Sequence, residues 1–482
     1  MTLDPTDWDE TRALGRTMVD DTLTWLETVR ERPTWTSVPA DTKARLAEPI
    51  PFEGASLGEV YEAFKRDVLP YPTGNIHPRF WGWVMGTGTP TGVLADMLAS
   101  AMNPHLAGYD QSPALIERQV LAWLIELMGF PAGASGLLVS GGTEANLNGL
   151  MSARVAKAGF DIRAEGVRGG PPLTVYGGTE THSWIHTACE TMGMGRGAFR
   201  AIPVDGDYRI DLAVCRARIE ADIAEGYRPI AIVGNAGTVS TGATDDLNGL
   251  RDLADEFGLW LHVDGAFGAL AAWTDSRGIV AGQEKADSLA FDLHKWGYMP
   301  YEVGVALTRS GEAQTAAYKP AAAGGPAYLR SANAGIAVDT TYFADRGLQL
   351  SRGFRALKVW MSMKEQGVDR IAGAIQENID QAHRLGDLVA ARPDLELLAP
   401  VSLNIVCFRY APKGVAEEAL DPLNQAILVA LQSRGIAVPS QTVLQERFAI
   451  RVCITNHRSR DEDFAILVEA VLTIGAELAG VR

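Results

Sequence analysis

The sequence predicts an α/β protein: a mainly parallel seven-stranded sheet with helices on both faces, then a smaller C-terminal α+β domain. Three observations carry this. Between residues 136 and 309 seven short runs, GLLVS, LTVYG, FRAIPV, PIAIVGN, LWLHVD, DSLAF and GVALTR, are apolar with little polar alternation, which marks strands buried on both faces. Most are separated by helical stretches such as DLAVCRARIEADIAEG and DDLNGLRDLADEFG, the order that builds a parallel sheet. Beyond about residue 346 the character changes, with a long helical region, LSRGFRALKVWMSMKEQ onward to 391, preceding LELLAP, SLNIVCFRY, a helix, FAIRVCITN and a last helix.

Taken in order, residues 1–85 carry helices joined by aromatic and proline-rich segments such as VLPYPTGNIHPRFWGWV, with too little patterned apolar surface for a core of their own. They are expected to wrap another surface, a partner subunit. Residues 86–345 form the large domain and 346–482 the small one. SPALIERQVLAWLIELMGFP reads as a helix: Ser112 can cap, Pro113 suits the first turn, Leu115, Gln119, Trp123 and Leu127 follow helical spacing, and GFP closes it. The segment KPAAAGGPAYLRSANAG is rich in small residues and reads as a loop.

The chain has 482 residues, 47% of them hydrophobic, enough for more than one core. Its 43 basic against 59 acidic residues give a net charge of −16, which repels phosphate backbones and anionic lipid and argues against nucleic acid as a partner. The four cysteines, Cys189, Cys215, Cys407 and Cys453, lie far apart with no CxxC, so neither a disulfide framework nor a zinc ribbon is expected. A reducing cytoplasm fits. The opening MTLDPTDWDETRALG lacks a basic segment followed by an apolar run, and no stretch approaches the ~18 apolar residues of a membrane span, so no membrane association is expected.

In open parallel sheets ligands sit beyond the carboxyl ends of the strands, so polar residues just after strand candidates carry the chemistry. Four places stand out. In LLVSGGTEANLNGL, Gly141 and Gly142 permit close backbone approach and Thr143 can open a helix whose free N–H groups face an anion; the alternative is an ordinary strand-turn-helix joint with a threonine cap. In LHVDGAFG, Asp264 ends a strand, either as a turn cap or as a fixed anion for a buried cation. In GGTETHSWIHTA, His182 and His186 have the i, i+4 spacing of a zinc pair, but the HExxH glutamate and any supporting Cys or Asp cluster are missing; a stacking or acid-base imidazole, or a plain polar helix start, fits better, and no metal is expected.

The fourth place is Lys295 in ADSLAFDLHKWGYMPYEVGVAL. Crowded by Phe291, Trp296 and Tyr298, it is either an amphipathic side chain along the sheet edge or an amine that has lost its preference for the charged state and become a nucleophile. An anion-binding helix start, an imidazole platform, a strand-end carboxylate and a downstream lysine are together the parts that pyridoxal 5'-phosphate asks for. No single part is specific; the ordered set is.

The segments HPRFWGWV, LADML, SPALIE, GGTEANL, THS, GTVSTGATD, WLHVDGAFG, ADSLAFDLHKW and FRALKVW, in this order, resemble the group II pyridoxal-phosphate-dependent amino acid decarboxylases, such as those acting on aromatic amino acids, histidine and glutamate. The resemblance runs from MVDDTLTWLETV to the last helix. It implies the aspartate-aminotransferase-like fold of type I pyridoxal-phosphate enzymes, a homodimer, and decarboxylation of an L-amino acid, with a lean toward an aromatic one. It further implies that Lys295 holds the cofactor covalently, that Asp264 partners the pyridine nitrogen, that Ala266 and His182 lie on the two ring faces, that Gly142 and Thr143 contact the phosphate, and that His294 lies close to cofactor and substrate. GPAYLRSA matches the mobile loop whose tyrosine, here Tyr328, reaches the neighbouring subunit's site and returns a proton to the substrate carbon.

Two departures stand out. Asp292 occupies the place where the family commonly has asparagine, awkward if it faces the phosphate, and Val239 stands where a second threonine often follows GT. By position, Trp83, Met85, His105 and Tyr109 are candidates for the substrate pocket, or for plain core packing. Two other outcomes differ in the fate of the substrate: an aldehyde, made by relatives in which phenylalanine tends to replace the loop tyrosine, and carbon-carbon cleavage, since DLHKWGY is also similar to sphingosine-phosphate lyases. Tyr328 argues against the first; the stronger match elsewhere and the lack of a membrane anchor argue against the second.

Overall fold

The structure, a computed structural model, describes residues 2–319, 335–338 and 341–480. Two compact units account for them: Val84–His383 with Ala399–Val406, and Met1–Trp83 with Arg384–Leu398 and Cys407–Arg482.

The first unit is built on β2 (Ser135–Val139), β3 (Leu173–Gly178), β4 (Phe199–Ile202), β5 (Arg228–Asn235), β6 (Trp260–Asp264), β7 (Ser288–Asp292) and β8 (Gly304–Thr308), in the order β2-β8-β7-β6-β5-β3-β4. Only β8 is reversed; it pairs antiparallel with both neighbours while the other pairs are parallel. Each predicted run becomes a strand, with ends moved by a residue or two. Every residue of β2, β3, β6, β7 and β8 is buried, as runs without alternation require. The helices between them open on aspartate caps: Asp211 accepts from the N–H groups of Ala213 and Val214, and Asp246 accepts from that of Gly249. Helix Ser112–Leu127 starts one residue earlier than its pattern implies, so Ser112 is helical and Gln111 holds the capping position.

The second unit contains a sheet ordered β1-β11-β12-β10-β9, formed by β1 (Phe80–Trp81), β9 (Leu395–Leu397), β10 (Ile405–Tyr410), β11 (Val438–Leu444) and β12 (Arg447–Cys453). Two of these strands are not legible as strands in the sequence. β1 is two residues long and exists only by parallel pairing of Phe80 and Trp81 with Val438 and Pro439. β11 carries a proline and a polar Ser-Gln-Thr run. Its hairpin to β12 turns through Gln445 and Glu446, both with positive φ, so the turn lacks the Asn-Gly or Asp-Gly signal that normally announces it.

The helix Gly142–Lys157 crosses the first unit's sheet, and a polar knot within the core fixes it there. His262 of β6 donates from Nε2 to Asn146 Oδ1 of the helix (2.7 Å) and accepts at Nδ1 from Ser288 Oγ of β7 (2.8 Å), while Trp260 Nε1 donates to the same hydroxyl (2.8 Å). Gly149 leaves the imidazole its room: a Cβ there would lie 2.5 Å from His262 Nδ1. Burial holds His262 neutral by lowering its pKa to about 4.

The unfolded chain takes up a proton on this histidine near its ordinary value, and the folded chain refuses it until about pH 4. The associated stability is therefore present above pH ~6.5 and is lost as pH falls toward 4, by up to ~3 kcal/mol. Urea unfolding of the protein and of His262→Gln at steps from pH 7 to 4.5 should show the stability gap narrowing as pH falls. A gap independent of pH would mean that His262 is not held neutral by the fold.

Candidate active site

The carboxyl ends of the parallel strands deliver polar residues to one edge of the sheet. A cavity of about 470 Å³ opens there, lined by Ser140, Gly141, Gly142 and Thr143 after β2, His182 and Trp184 after β3, Asn235 at the end of β5, Asp264 and Ala266 at and after β6, and Asp292, His294 and Lys295 at and after β7. Each of the four places singled out in the sequence contributes to this one cavity.

Lys295 stands in the tight turn that follows β7. Phe291, Trp296 and Tyr298 are buried around it, and Asn378 Oδ1 accepts from both Trp296 Nε1 (3.1 Å) and Tyr298 Oη (2.8 Å), which pins the turn. The amine lies 2.9 Å from Asp292 Oδ2. The expectation that apolar crowding neutralises it does not hold. Burial does pull the pKa of Lys295 down, but the charge of Asp292, the hydrogen bond to it and the field of Asp264 more than offset this, and the net shift is upward. Its charged neighbours are chiefly anionic.

Asp264 is oriented by two donors, Trp184 Nε1 (2.5 Å) and the N–H of Ala266 (3.0 Å). Its carboxylate caps the turn after β6 through the Ala266 N–H and is at the same time held at the strand end by Trp184. His182 accepts the N–H of Trp184 at Nδ1 (3.2 Å), and its pKa is lowered, first by burial and then by Lys295, against the opposing charge of Asp264. His186 takes no part in this cavity; its ring meets Phe199 edge-on at 5.3 Å. His294 accepts the N–H of Val303 at Nδ1 (3.1 Å), which leaves Nε2 on the side of Asp292, 3.8 Å from Oδ2.

The arrangement fits pyridoxal phosphate at three points. Helix Gly142–Lys157 starts at the cavity with Gly141 extended at its cap, and at Gly142 a Cβ would lie 2.9 Å from Asp292 Oδ2 and 3.5 Å from Ala266 Cβ, so the space is kept by the missing side chain. The buried carboxylate of Asp264 suits a protonated ring nitrogen, and the amine of Lys295 suits an aldehyde. Asp292 lies against the same helix start, with Oδ1 buried and lacking a hydrogen-bond partner, so the departure seen in the sequence puts a carboxyl group where Gly142 opens the helix.

The cavity also contains Tyr301 and Glu302, which strand-end reasoning did not identify. They lead into β8, and because β8 is reversed its beginning, not its end, lies at this edge. Glu302 is bound by Arg355 (2.8 Å), Arg355 donates to Gln349 Oε1 (2.9 Å), Gln349 donates to Glu144 Oε2 (3.0 Å), and Glu144 accepts from the N–H (3.0 Å) and hydroxyl (2.6 Å) of Ser140. This chain of bonds ties the cavity rim to the start of the helix. Asn235, by contrast, was readable as a strand-end residue; it donates to Asp245 Oδ2 (2.9 Å) and Thr181 Oγ1 (3.2 Å).

Trp83, Met85, His105 and Tyr109 are not among the cavity's lining residues. Trp83 is exposed, with its carbonyl accepting from Arg451 (2.8 Å), and Tyr109 lies edge-on between His105 and Tyr342. Tyr328 lies outside the described residues. Among the described residues no group of three or more His, Cys, Asp or Glu could hold a metal ion, and no helix is long and apolar enough to cross a membrane.

Only the free base of an amine attacks an aldehyde, so the raised pKa of Lys295 sets the pH at which the apo-protein takes up pyridoxal phosphate. Asp292→Asn removes the main raising influence and leaves burial, which lowers, opposed by the lesser field of Asp264. The pH profile of the uptake rate, followed by absorbance, should move to lower pH in this variant; an unmoved profile would show that Asp292 does not govern the amine.

Residues 39–411 match the family model of the pyridoxal-dependent decarboxylase conserved domain. An aromatic-L-amino-acid decarboxylase of Bacillus atrophaeus is 32% identical over 480 residues, covering 98% of this chain and 96% of that protein. An L-2,4-diaminobutyrate decarboxylase of Rhizobium meliloti (strain 1021) is 31% identical, covering 89% and 84%. The crystal structure of Oryza sativa TDC with PLP and tryptamine superposes with a TM-score of 0.90 at 26% identity, covering 99% of this chain and 100% of the other. The cofactor is therefore pyridoxal phosphate and the enzyme is a carboxy-lyase, and this chain belongs to the group II pyridoxal-phosphate-dependent amino acid decarboxylase family.

Proposed function

We propose that this enzyme converts an aromatic L-amino acid to its amine and carbon dioxide. The observation that carries the reading is the single cavity in which the Lys295 amine, the Asp264 carboxylate and the open helix start at Gly142 converge. Support for an aromatic substrate comes from Val84, Phe267, Trp184 and Tyr301 in the lining and from the similarity to an aromatic-L-amino-acid decarboxylase.

When bound, pyridoxal phosphate supplies the sink for the electron pair left as the bond to the carboxylate breaks. Lys295 would hold it covalently, Asp264 would keep its ring nitrogen protonated, Gly142 and Thr143 would bind its phosphate, and Ala266 and His182 would contact its ring. His182, kept neutral by burial, helps to position the substrate carboxylate, and His294 borders cofactor and substrate. Asp292 balances the charge of Lys295 while the amine is free. Tyr328 is assigned the return of a proton to the substrate carbon, across a subunit boundary.

That assignment requires a homodimer, which we place in the cytoplasm, with residues 1–85 clasping the second copy, 86–345 forming the cofactor domain and 346–482 the small domain. In support, helix Trp8–Glu27 has no buried residue, and Trp8, Leu57, Val60 and Phe64 are all exposed in the single chain. Trp83, His105 and Tyr109 are proposed as substrate contacts by their position in the sequence alone.

The purified holoenzyme should release carbon dioxide and amine, without peroxide, from an aromatic amino acid; aldehyde with ammonia and peroxide would overturn the reading. Lys295→Ala should lower turnover by several orders of magnitude, and borohydride should fix the cofactor to the peptide containing Lys295. Sedimentation should give twice the chain mass, and an active monomer would remove the role given to Tyr328.

A further inference from the structure

Beyond lining the cavity, Tyr301 has no chemical role among those assigned above, although it lies on the same chain as Lys295. Its ring meets that of His294 at 4.4 Å between centroids with the planes tilted by 35°, so it stands directly beside the residue next to the reacting lysine. Its oxygen lies near the backbone N–H of Gly86 and within the electrostatic reach of the Lys295 amine. The Gly86 backbone is fixed in its turn, because it packs on the carbonyls of His294 and Lys295 so closely that a Cβ at position 86 would overlap the His294 oxygen. A phenol whose oxygen faces a backbone N–H can direct its own proton elsewhere as a donor.

Most other polar groups of the lining are already engaged. Ser140 donates to Glu144, Asn146 is bound to His262, Asn235 donates to Asp245 and Thr181, and Trp184 donates to Asp264. The charges do not favour a second anion: Glu144, Asp264, Asp292 and Glu302 line the cavity, Lys295 is the one lysine, and no arginine is among the described lining residues. An amino acid attached where the Lys295 amine stands brings a carboxylate into this field.

We propose that Tyr301 is a substrate-binding residue that donates its hydroxyl proton, as a hydrogen bond, to the carboxylate of the amino acid. The inference rests on Lys295 being the site of reaction. A neutral donor suits this step, because the carboxylate loses its charge as carbon dioxide leaves. A cation bound to it would stabilise the starting state more than the transition state, whereas a phenol orients the group at smaller cost. Tyr301 is half-exposed in the single chain, and the partial burial of its oxygen still shifts its pKa upward, so the donor stays protonated at neutral pH.

The test uses the holoenzyme and Tyr301→Phe with two probes that differ by the carboxylate: L-phenylalanine and 2-phenylethylamine. Each is titrated against the visible absorbance of the covalently held cofactor, and turnover is measured in parallel with the best aromatic substrate. The variant should lose ~10–100-fold in affinity for the amino acid and in kcat/KM, the amount expected for a hydrogen bond to a charged group, with most of the kinetic loss in KM. Its affinity for the amine should stay within about twofold of the unaltered enzyme, since the bond at issue is one the amine cannot make. Equal weakening of both probes would reduce Tyr301 to a packing role, and no weakening of either would exclude it; both results overturn the inference. Loss of the cofactor absorbance in the unaltered enzyme would instead sink the assignment of Lys295, so the two failures are distinguishable.

Discussion

The site depends on the bonds that fasten the helix Gly142–Lys157 to two adjacent strands. His262 reaches Asn146 on the helix with one nitrogen and Ser288 on β7 with the other, and both bonds require the neutral ring with its proton on Nε2. Asn146 lies one turn into the helix whose first residues form the cup at Gly142 and Thr143. His262 lies two residues before Asp264, and Ser288 begins the strand that ends at Asp292. A single buried imidazole therefore sets the spacing between the helix start and the strand-end carboxylates. Gly149 is part of the same constraint, since any side chain there would take the space of the ring.

Among the described residues, the cavity is an anionic site holding one amine. Asp292 and Asp264 favour the charged form of Lys295 in the free protein, so the amine must give up a proton before it could hold an aldehyde cofactor. The carboxylates are themselves restrained: Asp264 by Trp184 and a backbone N–H, Glu144 by Ser140 and Gln349, Glu302 by Arg355. Such restraint fixes where negative charge sits, and preorganised charge is what an active site needs. Asp292 is the exception, with one oxygen on Lys295 and the other buried without a partner. An asparagine there could not pair with the amine in the same way, so the departure from the family pattern has an electrostatic consequence for the lysine itself.

The reversed strand explains how one rule both finds and misses functional residues. Parallel strands deliver their carboxyl ends to a common edge, and Asp264 and Asp292 follow that rule. β8 runs the other way, between β2 and β7, so the residues preceding it, Tyr301 and Glu302, arrive at the same edge from the opposite chain direction. Close packing makes the juxtaposition possible: a Cβ at Gly304 would lie 2.6 Å from the Cα of Gly141.

The sequence by itself determined the sheet, because seven buried strands need seven apolar runs, and it determined the lysine, the strand-end aspartate and the glycine-rich helix start, because their chemistry allows few substitutes. Family resemblance added the cofactor roles proposed for Ala266, His182 and His294. Tertiary structure alone decided the rest. β1 exists only through pairing with a distant strand, and β11 turns into β12 through residues that carry no turn signal. The reversal of β8, which brings Tyr301 to the cavity, is set by which neighbours it pairs with. The upward shift of Lys295 arises from carboxylates of which only one is near it in sequence. Local composition specifies which elements form, but the field at an atom is the sum over groups that only the folded chain brings together.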